Sequence, residues 1–321
     1  MNEIVSAWEE QQAELDGLIN PVDDDAWARP SRCDGWSVSD VVLHLAQTNE
    51  MALASLQGRF NEVLTELTTG LPPSKDVDDG AGMMVEHQRG APPVAVYERW
   101  KTGIDELRKA FASVDERDKV QWVVGSLSAR TLCTTRLAET WIHTNDVASG
   151  LGVTLPAAER LNVIANLAWR TLPYAFQRAG RTMTGPVAFE LTGASGAPVT
   201  IAPADGDALT VVRGTVLELC EVAGQRKDAS ATSLTAEGPD AESVLELVRT
   251  FALAFVAAAS AASFGPSCPK PPGPPGPRAG LAGAGSSTLV TLKSLSSCTR
   301  TRVVPSDFVS SAMYPSPLRL S

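Results

Sequence analysis

The sequence predicts a mainly α fold, in which a four-helix bundle is followed by a small α+β domain and a disordered tail. Apolar residues recur three and four positions apart through most of the first 180 residues, alternate in steps of two after Gly185, and lose their periodicity near Ser263. These spacings are typical of amphipathic helices and half-buried strands. We therefore expect domains at residues 1–182 and 183–261, and a tail at residues 262–321 that is rich in Pro, Ser and Gly.

Two helices are predicted before residue 60. The first carries four apolar residues at helical spacing: Ile4, Trp8, Leu15 and Ile19. After a loop, Ser37 and Asp40 fit the capping-box pattern, in which a hydroxyl is followed three residues later by a carboxylate. The second helix is therefore expected to begin there, to contain His44, and to run to about Leu56 or beyond.

Three more helices complete the predicted helical half of the chain. Residues 70–90 are rich in Pro, Asp and Gly and are interpreted as a long loop that holds His87. The third helix has a continuous apolar seam formed by Tyr97, Trp100, Ile104, Leu107, Phe111 and Val114. The fourth is expected from about Ser126 to Ser149, with Gly150 just past its end. The fifth is expected over 157–177.

The pattern after Gly185 predicts the α+β domain. Strands are expected at three alternating segments, 187–191, 199–201 and 209–212, and helices at 215–222 and 241–258. The tail carries ten of the 22 prolines and shows no periodicity, so it is predicted to be disordered. A second hypothesis is that the tail is a reading-frame product.

Composition narrows the class of protein. The first 20 residues lack the basic start and apolar run of a secretory signal, and no stretch reaches the roughly 18 apolar residues that cross a bilayer. We therefore expect a cytoplasmic protein without membrane contact. The five cysteines are scattered, without the paired spacing of a disulfide framework or a thiolate zinc site, and are expected to be reduced.

The charge distribution argues against nucleic acid as a partner. Residues 262–321 hold six Lys/Arg and one Asp, which leaves 21 basic and 36 acidic residues in residues 1–261. A surface this acidic repels a phosphate backbone. Oligomeric state is not readable from the sequence.

A candidate metal site emerges from the fourth helix. Glu139 and His143 are four residues apart and share one helix face, and His44 is the other histidine in a strong helical pattern. Two imidazoles and a carboxylate with an open fourth position are typical of catalytic zinc, although nickel, cobalt and ferrous iron also suit this set. The alternatives are a solvated helical ion pair between Glu139 and His143, and a core histidine at position 44.

Two segments together resemble a known family. Residues 34–46 (DGWSVSDVVLHLA) and 136–146 (RLAETWIHTND) are similar to the metal-binding N-terminal domain of the mycothiol-dependent maleylpyruvate isomerase family. The resemblance implies a DinB-like four-helix bundle over roughly residues 5–180. It also implies that His44, Glu139 and His143 are metal ligands.

The resemblance also implies an activity. A metal would activate the thiol of mycothiol, which then attacks a small electrophilic substrate in an isomerisation or a transfer. This agrees with the absence of a recognisable nucleophile motif around any cysteine; Cys33 and Cys133 are interpreted as packing residues. The alternative is a non-catalytic protein that binds a metal or a small ligand. Residues 214–226 and 236–238 resemble a branch linked to wyosine base formation in tRNA, which gives a weaker alternative, an accessory of tRNA modification.

Further residues are candidates for roles at this site. Arg136 and Asp146 lie one turn from the ligands and either orient the ligands without binding the metal themselves or belong to a surface ion-pair network. His87 is either a general acid or base or a solvated histidine. Arg213 and Arg226 are candidates for binding the thiol cofactor or an acidic substrate.

Overall fold

The computed structural model describes residues 1–250 apart from Val124 and Asp205, and confirms the predicted fold class over them. The predicted tail and the end of the last predicted helix lie outside the described residues. The first part contains ten elements: α1 (Asn2–Ile19), α2 (Asp24–Trp27), α3 (Val38–Leu56), α4 (Phe60–Thr68), α5 (Val77–Gln88), α6 (Pro93–Ser113), β1 (Lys119–Trp122), β2 (Gly125–Ser128), α7 (Ala129–Leu151) and α8 (Leu161–Arg178).

Four long helices, α1, α3, α6 and α7, pack together as the bundle. Trp8 and Phe111 meet edge to face in its core with ring centroids 5.7 Å apart. The predicted capping box is present at the start of α3. The Ser37 hydroxyl accepts from the Asp40 amide at 3.2 Å, and the Asp40 carboxylate accepts from the Ser37 amide at 2.8 Å. This cap fixes where α3 begins and therefore which of its residues face α7.

The second part contains a mixed sheet and short helices: β3 (Val187–Thr192), β4 (Pro198–Ile201), β5 (Thr210–Thr215), α9 (Val216–Ala223), a 3-10 turn (Ala229–Ala231), β6 (Thr235–Glu237) and α10 (Ala241–Leu247). The strand order is β4-β3-β5-β6. Strands β3 and β5 are parallel, and the two outer strands are antiparallel to their neighbours. In α8, the Trp169 indole donates to the Val187 carbonyl oxygen at 2.7 Å, which ties the helices to the sheet.

The predicted loop at residues 70–90 is wrong over most of its length, because α5 occupies Val77–Gln88. Asp76 caps this helix, accepting from the Asp79 amide at 2.8 Å. The buried residues Met84 and Val85 lie three and four positions after the buried Ala81. Two glycines and a run of acidic residues hide this short apolar face in the sequence.

Other elements differ from the prediction at their ends or were not predicted. Helix α7 begins at Ala129, because residues 125–128 pair with 119–122 in the hairpin β1–β2. It ends at Leu151, and Gly152 takes the left-handed conformation at φ 73° that a C-terminal cap requires. The elements α2, α4 and β6 were not predicted. Within the described residues, no helix is both long enough and apolar enough to span a membrane.

Candidate metal centre

Helices α3 and α7 bring the three predicted ligands together. His44 comes from α3, and Glu139 and His143 come from one face of α7. Glu139 Oε1 lies 2.9 Å from His44 Nε2 and 3.5 Å from His143 Nε2. Each residue is only 1% exposed, so this is no solvated ion pair. Two ring nitrogens and a carboxylate oxygen thus converge in a buried place, each within 4.8 Å of the others.

His44 and Glu139 have complementary protonation states. Burial lowers the pKa of His44 and outweighs its hydrogen bond with Glu139, so the imidazole is neutral. Burial raises the pKa of Glu139, but hydrogen bonds with His143 and His44 outweigh it and lower this pKa to about 2. The pair therefore presents a neutral nitrogen and a charged oxygen, as cation ligands must.

His143 is held by its other ring nitrogen. Nδ1 lies 2.9 Å from Asp146 Oδ2, while Nε2 faces Glu139. Burial lowers the pKa of His143, but hydrogen bonds with Asp146, Cys33 and Glu139 outweigh it and raise this pKa well above its ordinary value. A cation must therefore displace a proton from Nε2. A carboxylate behind the imidazole fixes the ring in the way common at protein metal sites.

Asp146 is the centre of a second buried group. Arg226 grips both of its oxygens, with Nε 2.7 Å from Oδ1 and Nη2 2.6 Å from Oδ2. The Cys33 thiol also donates to Oδ2, at 3.1 Å. Burial raises the pKa of Asp146, but the hydrogen bonds with His143 and Arg226 and their positive charges outweigh it and hold the pKa well below its ordinary value. Because Arg226 follows α9, the second part of the chain contributes directly to the support of a candidate ligand.

The loop that carries Cys33 is fitted closely to α7. The Arg32 amide donates to the Asp146 carbonyl oxygen at 3.2 Å, and the Arg32 guanidinium donates to the Arg226 carbonyl oxygen. A Cβ atom at Gly150 would lie 2.5 Å from the Pro30 carbonyl oxygen. Gly150 is therefore not the residue past the helix end, as predicted from the sequence; it lies inside α7 and permits this close approach.

A second set of potential ligand atoms lies beside the first. Cys33, His143 and Asp146 also offer three atoms within 4.8 Å of one another. Here the Arg226 guanidinium already occupies both oxygens of Asp146 and lies 4.0 Å from Cys33 Sγ. A cation would meet that positive charge directly. This second set is therefore suited to sharing protons and orienting His143.

The other predicted site residues are placed as follows. Arg136 is buried in α7, and its Nη2 donates to Thr48 Oγ1 at 2.9 Å and Asn49 Oδ1 at 3.2 Å. His87 is exposed in the last turn of α5. Arg213 lies on the sheet surface in ion pairs with Glu190 and Glu237, so the structure does not bring it to the candidate ligands.

Two residues at or near the site were missed from the sequence. Cys33, interpreted as a packing residue, is a hydrogen-bond donor to Asp146, 113 positions away. Its position beside the segment 34–46 is the one signal that could have singled it out. Asp78 lies in α5, and desolvation, together with repulsion from Asp76 and Glu139, raises its pKa to about 6. Cys133 remains a packing residue, since burial raises the pKa of its thiol to about 12.

Comparison with known proteins places this chain among relatives. Residues 8–148 match the family model described as the mycothiol maleylpyruvate isomerase N-terminal domain. Two proteins of Mycobacterium tuberculosis, the uncharacterized proteins MT0041 of strain CDC 1551 and Rv0036c of strain H37Rv, are each 32% identical over 242 residues. The alignments cover 74% of this chain and 91% of each relative.

Solved structures give a further match. A crystal structure of the mycothiol-dependent maleylpyruvate isomerase aligns with a TM-score of 0.49 at 18% identity, over 75% of this chain and 95% of that chain. A mutant of the same protein aligns with the same values. The family model and the two mycobacterial relatives assign the chain: it belongs to the family that carries the mycothiol maleylpyruvate isomerase N-terminal domain.

Proposed function

We propose that this protein is an enzyme that uses a divalent cation, with zinc as the first candidate, and mycothiol to isomerise a small electrophilic substrate or to transfer the thiol to it. The observation that carries the proposal is the buried convergence of His44, Glu139 and His143, with the His143 ring held from behind by Asp146. Membership of the family supports mycothiol as the thiol.

The donor set fits a divalent cation. His44 supplies a neutral nitrogen, Glu139 a charged oxygen, and His143 a ring whose Nδ1 is fixed by Asp146 so that Nε2 is directed towards Glu139. Three protein ligands of this kind leave a coordination position for an exogenous group, which distinguishes catalytic from structural zinc sites.

The chemistry needs an accessible thiol, which the described residues do not offer. Among the described residues, the cysteines Cys33, Cys133 and Cys220 are all buried, and burial raises the pKa of the last two. A bound divalent cation would lower the pKa of a coordinated thiol and so favour the nucleophilic thiolate. The residues of the chain hold the site: Asp146 keeps the proton on His143 Nδ1, Arg226 fixes Asp146, and the surrounding helices exclude water. In an isomerisation the thiol is released again; in a transfer it stays on the product.

Metal analysis of purified protein tests the first part of the proposal. The wild type and His87→Ala, which changes an exposed histidine outside the candidate site, should each carry about one equivalent of metal. His44→Ala and His143→Ala should carry little. Equal metal content in all four proteins would show that His44 and His143 do not bind the metal and would contradict the proposed site.

Titration of mycothiol into cobalt-loaded protein tests the second part. Binding should produce a thiolate-to-cobalt absorption band that is absent from the His143→Ala protein. Metal binding without any thiol-dependent spectral change would leave a non-catalytic metal-binding protein and would contradict the proposed activity.

A further inference from the structure

Arg136 is a buried cation in an unusual setting. Its side chain is 1% exposed, and its hydrogen bonds run from Nη2 to the neutral oxygens of Thr48 and Asn49. Its Nε has no hydrogen-bond partner, and no ion pair within the described residues includes it. A buried charge without an opposite partner in contact is costly. The carboxylate whose field reaches it is Glu139, one turn further along α7.

The other buried arginine at the site, Arg226, has the contacting carboxylate that Arg136 lacks. Arg226 contacts both oxygens of Asp146, at 2.7 and 2.6 Å, so its charge is neutralised in place. Arg136 has no such contact. Glu139 attracts the Arg136 guanidinium electrostatically without contacting it, while the Oε1 atom of Glu139 is directed at His44 and His143.

The side-chain charges of the centre balance once both histidines are neutral, as they must be to bind a cation. Two guanidiniums, Arg136 and Arg226, face two carboxylates, Glu139 and Asp146, and the two histidines are neutral when they act as ligands. A divalent cation on this balanced set would leave two positive charges in a place that water hardly reaches. Burying this net positive charge costs free energy unless an anion binds next to the cation.

We propose that Arg136 makes the open coordination position of this centre selective for an anionic ligand, a thiolate in preference to a neutral thiol or water, and that it does so by lowering the affinity for the cation itself. The inference rests on the proposed metal site. The positive field of Arg136 opposes the incoming cation and attracts the anion that follows it. Arg136 therefore acts through the field at the ligand position and is a specificity residue, with no contact to the reacting atoms.

The two effects have opposite signs, and this separates the proposal from a purely structural role. At an effective dielectric constant near 20, unit charges within roughly 8 Å interact by more than the energy of a tenfold change in binding. Removing the charge should therefore strengthen cation binding by about tenfold or more and weaken anion binding by about tenfold or more. Loss of packing would weaken both.

The test compares Arg136→Met, which keeps the length and removes the charge, with Arg136→Lys, which keeps the charge. Arg108→Met is the matched control, because it removes one positive charge from an exposed ion pair on α6. Affinity for Co²⁺ alone is measured by competition with a chromogenic chelator. Affinity of the cobalt-loaded protein for azide, a small anion, is then measured from the visible absorption bands.

We expect Arg136→Met to bind Co²⁺ more tightly and azide more weakly, and Arg136→Lys and Arg108→Met to stay close to wild type. If Arg136→Met loses affinity for both, or changes neither, the inference is overturned. If this variant does not fold, the wild type decides, since its cobalt must bind azide at lower concentration than neutral imidazole; the reverse order overturns the inference. A wild type that binds no cobalt would instead overturn the proposed metal site.

Discussion

Helices α6 and α7 are the two longest helices of the bundle, but they bury different kinds of side chain. Helix α6 buries apolar side chains almost without exception: Val96, Trp100, Ile104, Leu107 and Phe111. Helix α7 begins in the same way with Leu132 and then buries Arg136, Glu139, His143 and Asp146. The comparison teaches that a row of polar residues in a bundle core indicates a functional site when other elements supply hydrogen-bond or ion-pair partners for those residues.

Neighbouring segments of the chain supply partners for the buried polar residues of α7. Helix α1 supplies two amides, with Gln12 Nε2 2.9 Å from Thr140 Oγ1 and Gln11 Nε2 3.0 Å from Thr144 Oγ1. Helix α3 supplies His44, and the second part of the chain supplies Arg226. Helix α6 needs only close packing, whereas α7 depends on partners that are distant in the sequence.

The largest expected effect tests α6 as a packing element. Trp100→Ala should lower the free energy of unfolding by about 3 to 5 kcal/mol, because a fully buried indole leaves a cavity. Denaturation in urea measures the loss, and Val94→Ala, at a position that is 67% exposed, is the control that should change little. Cobalt affinity of the folded Trp100→Ala protein should stay within about threefold of wild type, since α6 supplies no candidate ligand. A loss of cobalt affinity as large as that of His143→Ala would erase the distinction between the two helices.

The next effect tests whether α7 depends on its distant partner. Arg226→Met leaves Asp146 buried without the guanidinium that contacts both of its oxygens, and we expect a loss of about 3 kcal/mol in unfolding free energy. Arg213→Met removes an exposed arginine from two surface ion pairs and should have little effect. Urea denaturation of the metal-free proteins measures both. Equal losses in the two variants would show that burial of the Arg226 pair contributes nothing special.

The same contrast explains how much the sequence could predict. The regular spacing of Trp100, Ile104 and Phe111 predicted α6 to within a few residues, because one periodic face specifies a packed helix. Glu139 and His143 could be grouped by their spacing within α7, and His44 joined them as the other histidine in a strong helical pattern. The resemblance to a family then implied that all three are metal ligands.

The support of the site was much harder to predict. Cys33 and Arg226 meet Asp146 across 113 and 80 positions, and only the packed chain brings them together. Helix α5 was missed because its buried face is short and interrupted by glycine. Local patterns therefore predicted the long helices of the bundle and the candidate ligands, while contacts between distant segments decide what holds the ligands in place.

The pH dependence of stability sharpens the comparison further. In the metal-free protein the pKa of Glu139 falls from 4.5 to about 2 on folding, so its charge stabilises the fold above pH 4.5, and this contribution is lost as the pH falls through 2. Between pH 5 and pH 2, wild type should lose about 2 to 3 kcal/mol more unfolding free energy than Glu139→Gln. Urea denaturation at each pH measures the difference, and parallel curves for the two proteins would refute it. No buried group on α6 titrates in this range, so α7 is the source.

A smaller effect concerns the thiol beside Asp146. Cys33→Ala removes a donor at 3.1 Å from the carboxylate and should lower the unfolding free energy by about 1 kcal/mol. Cys33→Ser keeps a donor and should lose less. The reverse order in urea denaturation would show that Cys33 acts by packing, as the sequence had indicated.

The smallest expected effect is a change in the pKa of Asp78 on α5, caused by the charge of the candidate ligand Glu139. Asp78 lies on the same face of α5 as the buried Val85, and repulsion from Glu139 contributes to its raised pKa of about 6. A cation bound to Glu139 would cancel that repulsion, so the pKa of Asp78 should move from about 6 towards its ordinary value of 3.8 when zinc is added. Glu139→Gln should cause the same movement without zinc. Carboxyl chemical shifts, followed by NMR across the titration, measure the pKa. If neither zinc nor Glu139→Gln changes the pKa of Asp78, the charge of Glu139 does not influence α5, and the electrostatic effects of the polar residues on α7 do not extend to that helix.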